Sequence, residues 1–105
     1  MEKLLLGIDI GTSACKVAVF NPEGKVLAQS TQPYPVYYPA PDHVEQNPVE
    51  WWKGVCDAIR ETLTAGSIDP VQIAGIGVDG QSWSAIPVDR NGNVLHNTPI
   101  WMDTR

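Results

Sequence analysis

Short apolar runs separated by glycine and proline open the chain. Residues 3–10 are mostly apolar and too interrupted by glycine for a helix, so they predict a buried central strand. Apolar positions resume over 13–20, and Asn-Pro-Glu-Gly at 21–24 places proline and glycine as a tight turn requires before residues 25–31. This pattern predicts three antiparallel strands.

A segment rich in proline and tyrosine follows at 33–46. Its four prolines are interleaved with three tyrosines. Proline lacks a backbone N–H and fixes the backbone, so the segment cannot be a helix or a central strand. We expect an ordered, extended loop. A proline-rich recognition ligand is the alternative, although the spacing does not form a regular PxxP helix.

A helix begins near Pro48. Asn47 is a suitable N-cap, and Pro48 fits the first helical position. Glu50 stands three residues after Asn47, as in a capping box. Gly66 is expected to end the helix.

The predicted helix is amphipathic. Trp51 and Trp52 are expected to pack it on the sheet rather than to form a ligand-binding pair, because aromatic residues at a helix start usually belong to the core. Apolar residues recur at three- and four-residue steps and predict one buried stripe: Val49, Trp52, Val55, Cys56, Ile59 and Leu63.

Residues 72–83 predict a second buried strand, reached from the first three by a helical crossover. A right-handed crossover allows this strand to lie parallel to the first and beside it. Asp9 and Asp79 then occupy equivalent places, each next to glycine near the carboxyl end of its strand, where open α/β sheets bind ligands. Residues 84–96 predict a hairpin that turns at 89–92.

Composition limits the classes of protein that fit. The 105 residues suffice for one domain, and 43% apolar with 18% charged residues argue against disorder. A formal charge of −5 argues against binding to a nucleic-acid backbone. Cys15 and Cys56 lack CxxC spacing, and no signal-type start or membrane-length apolar run is present, so we expect a cytoplasmic protein without a membrane role.

The segment after the first strand has the chemistry of an anion site. Gly11 permits close backbone approach, and amides with the hydroxyls of Thr12 and Ser13 can surround phosphate oxygens. A bare Asp9 carboxylate would repel phosphate unless Mg²⁺ or its water shell stands between them, and Lys16 adds a nearby cation. Taken alone, the short string fits equally well a simple turn with a solvated lysine.

Five ordered segments resemble the amino-terminal end of the FGGY carbohydrate kinase family, with xylulose kinases the nearest in pattern. The resemblance implies a ribonuclease H-like α/β fold, shared with actin, hexokinase and the heat-shock chaperones. It covers nearly the whole chain. The segments are GIDIGTSACKVAVFNPEGKVLA, EQNPVEWW, IAGIGVDGQSW, VDRNGNVL and IWMDTR.

The resemblance implies roles for individual residues. Asp9 matches the metal-associated aspartate, and Asp79 is a second, weaker candidate for Mg²⁺. The loop that faces the ATP phosphates corresponds to Gly11, Thr12 and Ser13, with Lys16 beside it. The sugar or polyol is expected to contact residues of the VDGQSW and WxDxR motifs: Gln81, Ser82, Trp83, Asp103 and Arg105.

One position departs from the family pattern. After the glutamine, xylulose kinases usually carry Met and His and glycerol kinases Arg and Glu, whereas this chain has Ser82 and Trp83. The departure leaves the expected fold unchanged. It leaves open which sugar or polyol is the substrate, with a xylulose-like ketose favoured.

The resemblance also implies that other parts of a kinase lie outside these residues. Family members have two domains, and the catalytic base aspartate and the adenosine pocket come from sequence beyond this part. We therefore expect residues 1–105 to be the N-terminal part of the first domain, inactive alone, with the remainder of the kinase chain as its partner. A homodimer is an open alternative to a monomer.

Two other functions fit parts of the pattern. A ribonuclease H-like nuclease would use Asp9, Asp79 and either Glu50 or Asp57 as a two-metal site. A non-catalytic actin-like ATPase or binding domain is the second alternative. His43 and His96 lack partners at metal-ligand spacing and are expected to be ordinary surface or turn residues.

Overall fold

A mixed β-sheet and one long helix form the framework of the protein. The computed structural model describes residues 1–105. A short 3₁₀ turn, Pro70–Gln72, leads into the fifth strand. The elements in chain order are β1 Leu4–Ile10, β2 Ala14–Phe20, β3 Val26–Pro33, β4 Glu45–Gln46, α1 Pro48–Ala65, β5 Ile73–Gly80 and β6 Thr98–Pro99.

The main sheet has the order β3-β2-β1-β5. Strands β1, β2 and β3 are antiparallel, and β5 returns through α1 to pair parallel with β1. This arrangement confirms the predicted topology. Its register places Asp9 opposite Asp79 and Ile10 opposite Gly80, so the two strand ends meet as expected.

The core lies between α1 and one face of the sheet. Alternate residues of β1 and β2 point to this face and are buried, as the two-residue period of a strand requires. The helix lies mainly against β2 and β3. The sheet side of the core consists of Leu4, Leu6, Cys15, Val17 and Val19.

The buried face of α1 matches the predicted stripe only in part. Three of its six members are buried in the core or pack against it, as predicted: Val55, Ile59 and Leu63. Trp52 is 70% exposed and Val49 is 55% exposed, so neither packs on the sheet. Trp51 is half-buried against the core, as predicted. Small residues lie beside the packed members of the stripe and let the helix approach the sheet closely, and a pattern based on large apolar residues misses that part of the face. The buried residues of α1 are Pro48, Gly54, Val55, Ala58 and Thr62.

The ends of α1 follow the prediction in part. The Asn47 side chain accepts a hydrogen bond from the Val49 amide at 3.0 Å, as an N-cap should. The predicted capping box does not form, because the Glu50 carboxylate instead accepts from the Tyr37 hydroxyl at 2.6 Å. Gly66 follows the last helical residue.

Strand β5 is not the buried strand that its apolar sequence predicts. Ile76 and Val78 are 63% and 64% exposed. Strand β5 is at the edge of the sheet, and α1 covers β2 and β3 instead. Residues 1–105 therefore leave part of the apolar surface of β5 uncovered.

The loops support this framework. The segment 33–46 contains no helix, as predicted, but it is not extended throughout. It turns at 40–43 and folds back so that Tyr37 pairs antiparallel with Glu45. The segment ends in β4, which pairs antiparallel with β6. The predicted hairpin forms around a single bridge between Val88 and Val94, with a turn that begins at Asp89. No helix is both long and apolar enough to span a bilayer.

Candidate active site

The residues predicted to face phosphate, Gly11, Thr12 and Ser13, form the turn between β1 and β2, which we call the phosphate loop after that prediction. The Gly11 amide donates to the Ala14 carbonyl at 3.0 Å and closes the turn. A Cβ atom on residue 11 would lie 2.9 Å from that same oxygen, so a side chain is excluded there. The loop geometry thus requires Gly11, and Thr12 and Ser13 follow it at the end of the sheet.

Side chains from distant elements hold the carbonyl groups of this loop. The Tyr34 hydroxyl, from just after β3, donates to the Gly11 carbonyl. Gln46 Nε2 donates to the Thr12 carbonyl at 2.6 Å. The Ser13 carbonyl accepts from the Tyr34 amide at 3.1 Å. The backbone of the loop is therefore fixed from the side of β3 and β4.

Gln46 lies at the centre of this candidate site, and the sequence analysis did not single it out. It is 1% exposed, and its Oε1 accepts from Trp51 Nε1 at 3.1 Å and from Gln81 Nε2 at 2.7 Å. One buried amide thus connects the phosphate loop, the helix and the segment after β5. A polar residue in a proline-rich loop is expected to be exposed, so composition gave no sign that Gln46 is buried. Its place within the EQNPVEWW motif was the one signal available in the sequence.

Two carboxylates lie side by side on the sheet face opposite α1. Asp9 and Asp79 are register partners on β1 and β5, and both line an open groove of about 460 Å³. A hydrogen bond shared with Asp9, together with repulsion between the two charges, raises the pKa of Asp79 above its ordinary value. Paired carboxylate oxygens suit Mg²⁺, which this groove could hold.

Lys16 lies in the same groove as the two aspartates. It is the cross-strand partner of Asp9 on β2. The predicted cation therefore faces the carboxylate groove, from the strand that begins directly after the phosphate loop.

A second cleft joins the phosphate loop to the segment after β5. It encloses about 550 Å³ and is lined by Gly11, Thr12, Gln81, Ser82, Trp83 and Trp101. The backbones of Gly80 and Ile10 approach closely here, since a Cβ on Gly80 would lie 2.7 Å from the Ile10 carbonyl oxygen. The Gln81 amide donates to that same carbonyl at 2.8 Å. Five of the predicted phosphate- and sugar-binding residues thus meet in one place.

Trp83 projects into solvent beside this cleft. It is 92% exposed and has a backbone φ of 75°, in the left-handed region that non-glycine residues rarely occupy. Trp83 therefore does not belong to the core that residues 1–105 form.

Asp103 and Arg105 do not line the cleft. Arg105 forms a bidentate ion pair with Asp103 and bonds Glu45 Oε2 at 2.6 Å, while Asp103 Oδ2 also accepts from the Val44 amide at 2.8 Å. The Arg105 guanidinium holds the pKa of Asp103 well below its ordinary value. These contacts fix the chain near β4, and the predicted sugar contacts of both residues stay predictions.

The third carboxylate that a two-metal nuclease needs is not brought to Asp9 and Asp79. Glu50 bonds Tyr37, and Asp57 pairs with Lys53 at 2.6 Å and Arg60 at 3.6 Å along α1. No group of three metal-ligating His, Cys, Asp or Glu side chains forms in the protein. This geometry does not support the nuclease alternative.

Comparison with known proteins gives one consistent family. The model of the FGGY family of carbohydrate kinases, N-terminal domain, matches residues 4–105. Glycerol kinase from Thermococcus onnurineus is 35% identical over all of this chain and 21% of its own length. Xylulose kinase from Bacillus subtilis is 35% identical over 98% of this chain and 21% of its length.

A solved structure agrees with the sequence relatives. The crystal structure of a xylulose kinase from Brucella ovis superimposes with a TM-score of 0.91 at 31% identity, covering 97% of this chain and 22% of that one. The present chain thus spans about a fifth of the length of the relatives that it matches.

Proposed function

This chain belongs to the FGGY family of carbohydrate kinases, whose members use ATP, and from that premise we propose that residues 1–105 are the N-terminal part of an ATP-dependent sugar or polyol kinase. In this proposal they form the start of the first of two domains. The catalytic base and the adenosine pocket come from the remainder of the kinase chain. The activity is transfer of the ATP γ-phosphate to a substrate hydroxyl.

One observation carries the proposal. The loop at Gly11 and Thr12 and the segment from Gln81 to Trp83 line a single cleft, although about 70 residues separate them. Phosphoryl transfer depends on holding the phosphate and the acceptor hydroxyl in line at short range. One wall of the cleft is the phosphate loop, which suits the ATP phosphates. The other wall carries amide, hydroxyl and indole groups, which suit the sugar or polyol.

The phosphate side of the cleft is assigned to the β1–β2 turn. Thr12 and Ser13 supply hydroxyl donors to phosphate oxygens. Because Tyr34 and Gln46 already hold the loop carbonyls, these donors are positioned before the nucleotide arrives.

Magnesium is assigned to the carboxylate groove. Asp9 and Asp79 would hold it directly or through water, and the ion would neutralise phosphate charge when bound. The raised pKa of Asp79 fits this assignment, because a cation relieves the repulsion between two neighbouring carboxylates.

The sugar side is assigned to Gln81, Ser82 and Trp83. An indole can stack on the C–H face of a polyol and donate one hydrogen bond, and the amide and hydroxyl can pair with substrate hydroxyls. None of the cleft residues carries a formal charge. These groups favour a neutral ketose or polyol, and a xylulose-like ketose is the first substrate to test.

The test is sugar-dependent ADP formation by the complete kinase. We expect activity with D-xylulose or a related ketose or polyol at several-fold above the no-sugar rate, and a reduced but measurable kcat/KM for ATP in Thr12→Val. No turnover with any pentulose, hexulose or glycerol from a well-folded complete protein would contradict the proposal.

A further inference from the structure

A hydrogen bond joins the two walls of the cleft directly. Trp101 Nε1 donates to the Thr12 hydroxyl oxygen at 2.8 Å, across 89 residues of sequence. Both side chains line the cleft, and the Trp101 ring is 56% exposed there. The contact therefore connects the loop assigned to phosphate with the WxDxR motif.

The backbone on each side of this hydrogen bond is firmly held. Ile100, next to Trp101, is 2% exposed, and its amide donates to the Val44 carbonyl at 3.1 Å. The Thr12 carbonyl is bonded by Gln46. With both backbones fixed, the freedom that remains at Thr12 is the rotation of its side chain and of its hydroxyl hydrogen.

The chemistry of the two groups sets the direction of that rotation. An indole N–H can only donate, so the Thr12 oxygen must act as its acceptor. The hydroxyl hydrogen is then left to donate to a different partner. A threonine hydroxyl without such a neighbour is free to turn and to bond backbone groups nearby.

We propose that Trp101 is a positioning residue that orients the Thr12 hydroxyl as a hydrogen-bond donor to a nucleotide phosphate. The proposal rests on the proposed function, since it requires Thr12 to face phosphate. In this proposal the Trp101 ring, which belongs to the WxDxR motif expected near the sugar, contacts the phosphate loop directly.

The test is a double-mutant cycle in the complete kinase. Trp101→Phe keeps an aromatic ring and removes the N–H donor, and Thr12→Val keeps the shape of the side chain and removes its hydroxyl. We expect Trp101→Phe to lower kcat/KM for ATP by about three- to tenfold, the range for one oriented hydrogen bond. In the Thr12→Val background the same change should have no further effect.

Two readouts do not depend on turnover. The affinity for the ATP analogue AMP-PNP, measured by calorimetry, should fall in parallel with kcat/KM. The Trp101 indole N–H resonance, identified by its loss in Trp101→Phe, should be protected from hydrogen exchange in the wild type. It should lose that protection in Thr12→Val and keep it in Thr12→Ser.

A matched control is available in the same chain. Trp52 is also well exposed, at 70%, but it lies on α1 and lines neither the carboxylate groove nor the cleft. Trp52→Phe should leave ATP and sugar kinetics unchanged.

The outcomes separate the two proposals. If Thr12→Val loses ATP affinity but Trp101→Phe has no effect, or the two effects are additive, the positioning role is wrong while the proposed function stands. If Thr12→Val itself leaves ATP binding and turnover intact, the assignment of the phosphate loop fails and the positioning role fails with it.

Discussion

At the scale of single residues, the most informative side chain is Asp9. It is exposed on a strand whose other face is buried, and Asp79 stands beside it in register. A carboxylate pair next to a phosphate loop is costly unless a cation accompanies it. This arrangement favours a functional over a purely structural role for both residues.

The first prediction concerns Asp9→Asn in the complete kinase. The side chains are similar in size and residue 9 is exposed, so the melting temperature should stay close to that of the wild type. The turnover number should fall by about 10²-fold or more, because metal placement contributes several kcal/mol to phosphoryl transfer. Wild-type turnover in the folded variant would make Asp9 a turn former only.

The second prediction concerns Trp83, which is 92% exposed. Trp83→Ala should leave the melting temperature nearly unchanged, because no buried ring is lost. The sugar KM of the complete kinase should rise or its kcat/KM for sugar should fall, while the ATP KM should not change. Trp52→Ala is the matched control and should alter neither. Unchanged sugar kinetics in Trp83→Ala would remove it from the substrate site.

At the scale of elements, the loop between β1 and β2 depends on the end of β3. The Tyr34 ring is buried, and its hydroxyl bonds the Gly11 carbonyl. Burial raises the pKa of Tyr34 to about 12 from an ordinary value of 10. The folded protein therefore holds the phenol in its neutral form more strongly than the unfolded chain does.

This coupling gives a prediction for alkaline pH. Between pH 10 and about 12 the unfolded chain ionises Tyr34 while the folded protein resists it, so the free energy of unfolding should decrease as pH rises. Urea titrations of residues 1–105 should show a shallower decrease in Tyr34→Phe. That variant should also lose about 1 kcal/mol near neutral pH with its missing hydrogen bond. If the free energy of unfolding fell equally steeply with pH in the wild type and in Tyr34→Phe, the raised pKa of Tyr34 would be contradicted.

At the scale of the whole molecule, the sheet and helix do not cover all of the apolar surface. The helix lies over β2 and β3, and Ile76 and Val78 of the edge strand β5 stay mostly exposed. This surface fits the proposal that the remainder of a longer kinase packs on this part. The active site is then shared between these residues and others.

The last prediction concerns residues 1–105 prepared alone. Because the catalytic base and the adenosine pocket are proposed to lie elsewhere, this piece should give no sugar-dependent ADP formation above background with ketoses or glycerol. The complete kinase, assayed under the same conditions, is the positive control. Clear turnover by residues 1–105, purified free of host kinases, would contradict the proposal that catalysis needs the remainder of the kinase chain.

Sequence patterns predicted much of the framework for a physical reason. Strand periodicity and the turns at 21–24 and 89–92 depend on neighbouring residues, so β1, β2, β3 and the hairpin could be predicted locally. Gly11, Asp9 and Asp79 indicated the candidate site from sequence. Close backbone approach requires glycine, and a carboxylate at the end of an apolar strand is recognisable by its position.

Tertiary structure decided which surfaces are buried and which side chains meet. The orientation of α1 placed the small residues Gly54, Ala58 and Thr62 on the sheet beside Val55 and left Trp52 in solvent. Small residues allow the helix to pack closely on the sheet. The contacts of Gln46 with Thr12 and Gln81 span 34 and 35 residues. Periodicity reports only near neighbours, so such long-range contacts emerge when the chain is folded.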